Sequence, residues 1–124
     1  MDKYTTWIIT GSIFAALAVL FGAFGAHGLK SRVSAEDLLI FETGVRYQMY
    51  HALALLVLGL IAMNSAVNFS SLPFILFVSG IVVFSGTLYL IPLTGLRWLG
   101  AITPIGGTFF IVSWILLLIR LRGV

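Results

Sequence analysis

Three stretches free of Asp, Glu, Lys and Arg organise this chain: residues 4–29, 47–96 and 98–119. The middle one is broken only by a polar knot of Asn64, Ser65, Asn68, Ser70, Ser71 and Pro73. A hydrocarbon core about 30 Å thick takes about 20 apolar residues per helical crossing. The outer runs therefore hold one crossing each and the middle run holds two, which predicts spans over residues 5–26, 47–63, 71–91 and 98–119. Lipid offers the backbone no hydrogen-bond partners, so the spans must be helices, and the alternating pattern of a membrane barrel is not seen. The last two connections are short and force neighbouring helices to run antiparallel. The predicted fold class is an all-α membrane protein, an antiparallel four-transmembrane-helix bundle forming a single domain over residues 1–124.

The connector between the first two spans has its own pattern. Ser34 is an N-cap, Glu36 and Asp37 follow in the first turn, and the apolar Leu38, Phe41 and Val45 recur at spacings of three and four. This predicts a short amphipathic surface helix over residues 35–45, with a bend at Gly44 before the second span. Ser70 or Ser71 is expected to cap the third span, with Pro73 in its first turn, and Pro92 with Gly95 to mark the turn that follows. Lys3 ahead of an apolar run ending in Ala23, Gly25 and Ala26 imitates a signal peptide. That run is longer than the roughly 7–15 residues of such a region and feeds further spans, so it is read as an uncleaved first span.

Composition narrows the functional classes. With 60% hydrophobic residues and a mean hydropathy of +1.14, little chain remains outside the spans for an extramembrane catalytic domain. The net charge of +3 lies at membrane edges, which suits anionic headgroups and not nucleic acid. The chain has no cysteine, which removes disulfides and thiolate chemistry. Lys30, Arg32, Arg46 and Arg97 on one face nearly balance Lys3, Arg120 and Arg122 on the other; with Arg46 and Arg97 discounted as paired, the bias favours cytoplasmic termini, with dual insertion as the alternative.

Small residues recur along the first span at Gly11, Ala15, Ala18, Gly22 and Gly25, a seam that lets another helix approach closely. The expected occupant is the second or fourth helix of the same chain, with a homodimer as the alternative. Gly100, Thr103 and Gly107 form a shorter seam in the fourth span, and Gly86 is a packing or kink position in the third. Pro104 cannot donate to the carbonyl of Gly100, so a kink is expected between them.

Because spans alternate in direction, the polar side chains gather at one face. The candidate polar cluster is His27, Glu42, Arg46, Tyr47, His51, Tyr89 and Arg97, with Thr87 beside it. Glu42 and Arg46 are four apart and can pair along a helix, while Arg97 is the cation expected to meet Glu42 or Tyr47 across the bundle. At about 100° per residue His51 points away from Glu42, so no Glu-Arg-His relay is built on this helix. Two imidazoles without cysteine make a weak metal set, and no HExxH pattern and no paired carboxylates at membrane depth are present. His27 and His51 are therefore expected to pack and hydrogen-bond, with no metal, no cofactor, no catalytic residue and no enzymatic activity.

Four ordered motifs carry a resemblance: residues 22–29 (GAFGAHGL), 41–51 (FETGVRYQMYH), 84–89 (FSGTLY) and 103–107 (TPIGG). Through them nearly the whole chain resembles the YgdD/YwdK family of small bacterial membrane proteins. The resemblance implies a multi-pass four-helix protein of the bacterial plasma membrane whose biochemical function is unassigned, and it carries over no catalytic residue. The favoured reading is an accessory, assembly or interaction protein; a small-solute or ion pathway is the alternative, and a lipid-binding module is the third. The implied partners are the lipid bilayer and another membrane protein or a second copy of the chain, with no nucleic acid.

Overall fold

Asp2 starts the first helix by accepting a hydrogen bond from the Tyr4 backbone N–H at 2.7 Å, which satisfies one of the amides a helix leaves free at its N-terminus. The chain is described here by a computed structural model that covers residues 2–123. Among these residues lie four helices long and apolar enough to cross a membrane: α1 (Lys3–Leu29), α2 (Ala35–Met63), α3 (Leu72–Thr94) and α4 (Arg97–Arg122). The predicted antiparallel four-helix fold is realised. The last turn of α1, Gly25–Leu29, and a turn within α3, Ile81–Ser85, are wound as π-helix.

The connector is helical from Ala35, and Ser34 caps it as expected by accepting from the Asp37 N–H at 3.1 Å. The helix is not interrupted at Gly44: α2 runs continuously for 29 residues from the connector into the second span. Glycine serves another purpose there. A Cβ on Gly44 would lie 2.8 Å from a Tyr89 ring carbon and 3.2 Å from Leu88 Cβ, so the missing side chain is what lets α3 close on α2. Ser71 occupies the N-cap of α3, but its side chain makes no capping bond; Pro73 is in the first turn. Helix α3 passes through Pro92 and ends at Thr94, three residues beyond the predicted limit of Ile91, because a proline in the last turn forfeits only one backbone bond. Gly95 then stops the helix at φ +74°, a left-handed conformation that glycine adopts freely. The expected irregularity between Gly100 and Pro104 takes the form of a 3₁₀ segment, Arg97–Ala101, after which regular α-helix begins at Thr103 with Pro104 in its first turn.

The small-residue seam of α1 is filled by α2 of the same chain. A Cβ on Gly11 would lie 2.6 Å from the Ala52 carbonyl oxygen, and one on Gly59 of α2 would lie 2.9 Å from the Tyr4 carbonyl oxygen. Gly22 faces Val45 and Gly25 faces Phe41. Each helix thus supplies a glycine where the other's backbone approaches, and dispersion contacts replace the hydrophobic drive that lipid does not provide. The α3–α4 seam is reciprocal too: Gly80 lies under the Phe110 ring and Gly106 against the backbone of Phe84. This differs from the predicted Gly100, Thr103 and Gly107 seam. Gly100 and Gly86 face open space, and Gly107 meets Phe84 only at 3.7 Å. Trp7, Leu55, Leu58, Phe69, Phe77, Ile81, Phe110 and Leu117 form the buried apolar core.

The 64–71 turn is held from both sides. Phe69 is buried and stacks on Trp7, with ring centroids 5.7 Å apart. The Tyr4 hydroxyl accepts from the Phe69 N–H at 2.6 Å, the Lys3 ammonium donates to the Phe69 carbonyl, and Arg120 Nε donates to the Asn68 carbonyl at 2.8 Å. The turn that reads as neutral and idle in sequence is therefore clasped by the first turn of α1 and the last turn of α4.

Candidate functional site

Unbroken α2 is the element that positions the polar groups, and they fall at successive levels along it. At the membrane edge Arg97, at the start of α4, donates to both oxygens of Asp37 at 2.6 and 2.9 Å. The expected Arg97 pairing with Glu42 or Tyr47 does not form. Helix α2 is already helical at Asp37, and its first turn meets the start of α4, so Asp37 pairs with Arg97 instead.

One level deeper, Gln48 is buried and joins three helices. Its Nε2 donates to the Phe14 carbonyl of α1 at 2.8 Å, and its Oε1 accepts from the Tyr89 hydroxyl of α3 at 2.7 Å. The buried Ser85 hydroxyl donates to the Gly44 carbonyl at 2.7 Å, a bond that the close approach at Gly44 makes possible. The Thr87 and Thr103 hydroxyls share a bond of 2.6 Å between α3 and α4.

Deeper still is His51. Its Nδ1 lies 2.7 Å from the Tyr47 carbonyl oxygen and therefore donates, while its Nε2 accepts from Trp114 Nε1 at 3.1 Å. One nitrogen gives and the other receives, which defines a neutral imidazole in a single tautomer. The ring lies flat on Phe110, 3.6 Å between centroids and 5° between planes. Ser113, on the neighbouring turn of α4, donates to the Pro73 carbonyl at 2.9 Å.

The seven candidate residues do not converge on one centre. Tyr89 and His51 are internal ties, and Arg97 is an edge ion pair. Glu42, Arg46 and Tyr47 lie along the outward side of α2: among the described residues Arg46 hydrogen-bonds to Thr43 Oγ1, at 3.5 Å, and the Tyr47 ring packs against Phe84 and Tyr50. His27 is exposed on the π-helical end of α1, and its expected packing and bonding role is not realised. Among the described residues every buried side-chain nitrogen and oxygen has a hydrogen-bond partner, and no group of three or more His, Cys, Asp or Glu is placed to hold a metal.

Concave regions open at the surface lie at both ends of the bundle. One, of about 190 Å³, is wholly apolar and is lined by Phe21, Phe24, Phe41, Tyr89 and Leu93; the other, of about 280 Å³, lies beside the clasped turn between Ser65, Val67 and Arg120. The tie-forming residues absent from the sequence-derived polar cluster are Gln48, Asp37, Trp114 and Ser113. Gln48 alone carried a signal, as an uncharged amide inside an otherwise apolar run, where a buried partner is almost obligatory.

These features define a multi-pass integral membrane protein, a helical bundle cross-linked through its interior by side-chain hydrogen bonds. The chain belongs to the family described as "Protein of unknown function (DUF423)", whose model matches residues 21–107. It is 50% identical over 113 residues to the UPF0382 membrane protein SSP2132 of Staphylococcus saprophyticus, covering 91% of this chain and 93% of that protein. It is 47% identical over 113 residues to SAB0533 of Staphylococcus aureus, covering 91% and 92%. It is 45% identical over 115 residues to YwdK of Bacillus subtilis, covering 91% and 93%. The YwdK resemblance read from the motifs is thus established. No solved structure matches.

Proposed function

We propose that this protein is a non-enzymatic accessory or interaction protein of the membrane, a rigid helical scaffold that works through its contacts with lipid and with other membrane protein. The observation that carries this reading is the commitment of the interior polar groups. Gln48, Tyr89, Ser85, His51, Trp114 and Ser113 are all spent on bonds between or within the helices. A pathway for ions or polar solutes needs polar groups that replace a hydration shell along its length. A catalytic centre needs a group free to exchange a proton or attack a substrate. Here the same side chains hold the helices together, which favours a scaffold over either.

The test is a paired measurement on the full chain. Purified protein in proteoliposomes is expected to pass potassium, protons and halides at the rate of protein-free vesicles, while extraction from native membranes in mild detergent yields a defined complex. Saturable flux abolished by Gln48→Leu would contradict the scaffold reading and favour the solute pathway.

A further inference from the structure

The outward side of α2 carries Glu42 and Arg46, an acid and a base that form no ion pair among the described residues. Asp37 is at the membrane edge, bound to Arg97. Arg46 is nine positions further along an unbroken helix, about 13 Å deeper at 1.5 Å per residue. Arg46 is exposed, and among the described residues its hydrogen bond runs back toward the edge, 3.5 Å to Thr43 Oγ1. Glu42, one turn nearer the edge, is half-buried and forms no ion pair among the described residues. An ionised group at membrane depth is costly without a counter-charge. Both charges lie on one side of α2, because a four-residue step turns about 400°, only about 40° from coincidence.

The surface around them has a regular pitch. Leu39, Thr43, Arg46, Tyr50, Leu53 and Val57 succeed one another at spacings of four, three, four, three and four, and all but the half-buried Thr43 are exposed. That is a 3.5-residue repeat, the spacing at which two helices keep a shared seam while crossing with a left-handed twist.

From this we infer that the α2 outer face is a docking surface for a second copy of this chain, with two-fold symmetry and both copies inserted in the same direction. A second copy supplies both missing partners at once. Arg46 of one chain meets Glu42 of the other, and the symmetry repeats the pair, as an isologous interface requires. Tyr50, Leu53 and Val57 then meet their own counterparts deeper in the bilayer. This interface is distinct from the α1 seam, which α2 already fills from within the chain. It holds whatever the dimer does, so its failure leaves the scaffold reading standing.

Because the chain has no cysteine, single substitutions report the interface cleanly. Tyr50→Cys and Leu53→Cys, oxidised in native-composition membranes, are expected to form disulfide-linked dimers. Ile13→Cys on α1 and Ile111→Cys on α4, which are also outward-facing, are expected to form none. In the Leu53→Cys background, Arg46→Ala and Glu42→Ala should each lower the dimer yield severalfold, and the exchange Glu42→Arg with Arg46→Glu should restore it. Unchanged thermal unfolding of the monomer in each variant keeps folding out of the result. Equal cross-linking at stripe and control positions, a yield indifferent to Arg46→Ala, or capture of a different protein at Leu53→Cys would each overturn the proposal.

Discussion

Trp114 reaches across the bundle from α4 and donates its indole N–H to His51 Nε2, 63 residues away in the chain, at 3.1 Å. The same imidazole is stacked on Phe110 and anchored to the Tyr47 carbonyl. Both nitrogens are occupied, so this histidine joins α2 to α4.

His51→Ala should cost about 2–4 kcal/mol, since it removes a buried ring and leaves the Trp114 N–H without its partner. Trp114→Phe keeps most of the shape and loses one bond, so about 1 kcal/mol is expected. Thermal unfolding in detergent gives both values. Metal content of the purified protein should not change on His51→Ala; a Soret band, or one zinc lost with the imidazole, would make this a ligand site instead.

The glycines separate into two kinds. Gly106→Ala drives a Cβ into the Phe84 backbone, and Gly11→Ala drives one to 2.6 Å from the Ala52 carbonyl oxygen. Each should destabilise by about 1–3 kcal/mol, as overpacking does. Gly86 is helical with nothing within 4 Å of an added Cβ. Gly86→Ala should therefore stabilise, by about 0.5–1 kcal/mol. A melting temperature that falls on Gly86→Ala would show that this position packs after all.

Gln48→Leu should destabilise by about 1–2 kcal/mol, because it leaves the buried Tyr89 hydroxyl without its acceptor and removes the bond from α2 to the Phe14 carbonyl of α1. Gln48→Leu combined with Tyr89→Phe should cost less than the sum of the two single changes. Strict additivity in the double-mutant cycle would mean that the two side chains act independently.

Asp37→Asn and Arg97→Leu should each lower the melting temperature slightly, more at low salt than at high salt, because the Arg97 side chain is largely exposed. The second change should add nothing once the first is present. Arg122→Leu, outside this pair, should have less effect than either. Equal effects for Arg97→Leu and Arg122→Leu would show that the Asp37 pairing does not hold the α3–α4 turn.

The four spans and their antiparallel order are legible because a charge-free run long enough to cross a bilayer has few other uses. The α1 seam is legible for the same kind of reason, since small residues at helical spacing need a close neighbour. The partners of the polar groups were not legible. Whether Gly44 bends a helix or admits a neighbour depends on what α3 places against it, and only the folded chain shows Leu88 and Tyr89 there. The partner of Arg97 is equally a matter of tertiary placement, Asp37 and not Glu42. Seven polar residues at one end of a bundle suggested a single centre. Depth along α2 separates them, because each turn of helix moves a side chain about 5 Å along the membrane normal.

A bundle whose buried polar atoms all have partners among the described residues should be closed to water. Cysteine accessibility tests it most directly, on a chain that has no cysteine of its own. Ser85→Cys and Ser113→Cys place thiols at fully buried positions, while Ser31→Cys and Ser70→Cys place them at exposed edges. With a charged, membrane-impermeant maleimide applied to each side of sealed proteoliposomes, the edge positions should label and the buried pair should not. Labelling of Ser85→Cys and Ser113→Cys at rates comparable to the edge controls would reveal a water-filled route through the bundle and contradict the account.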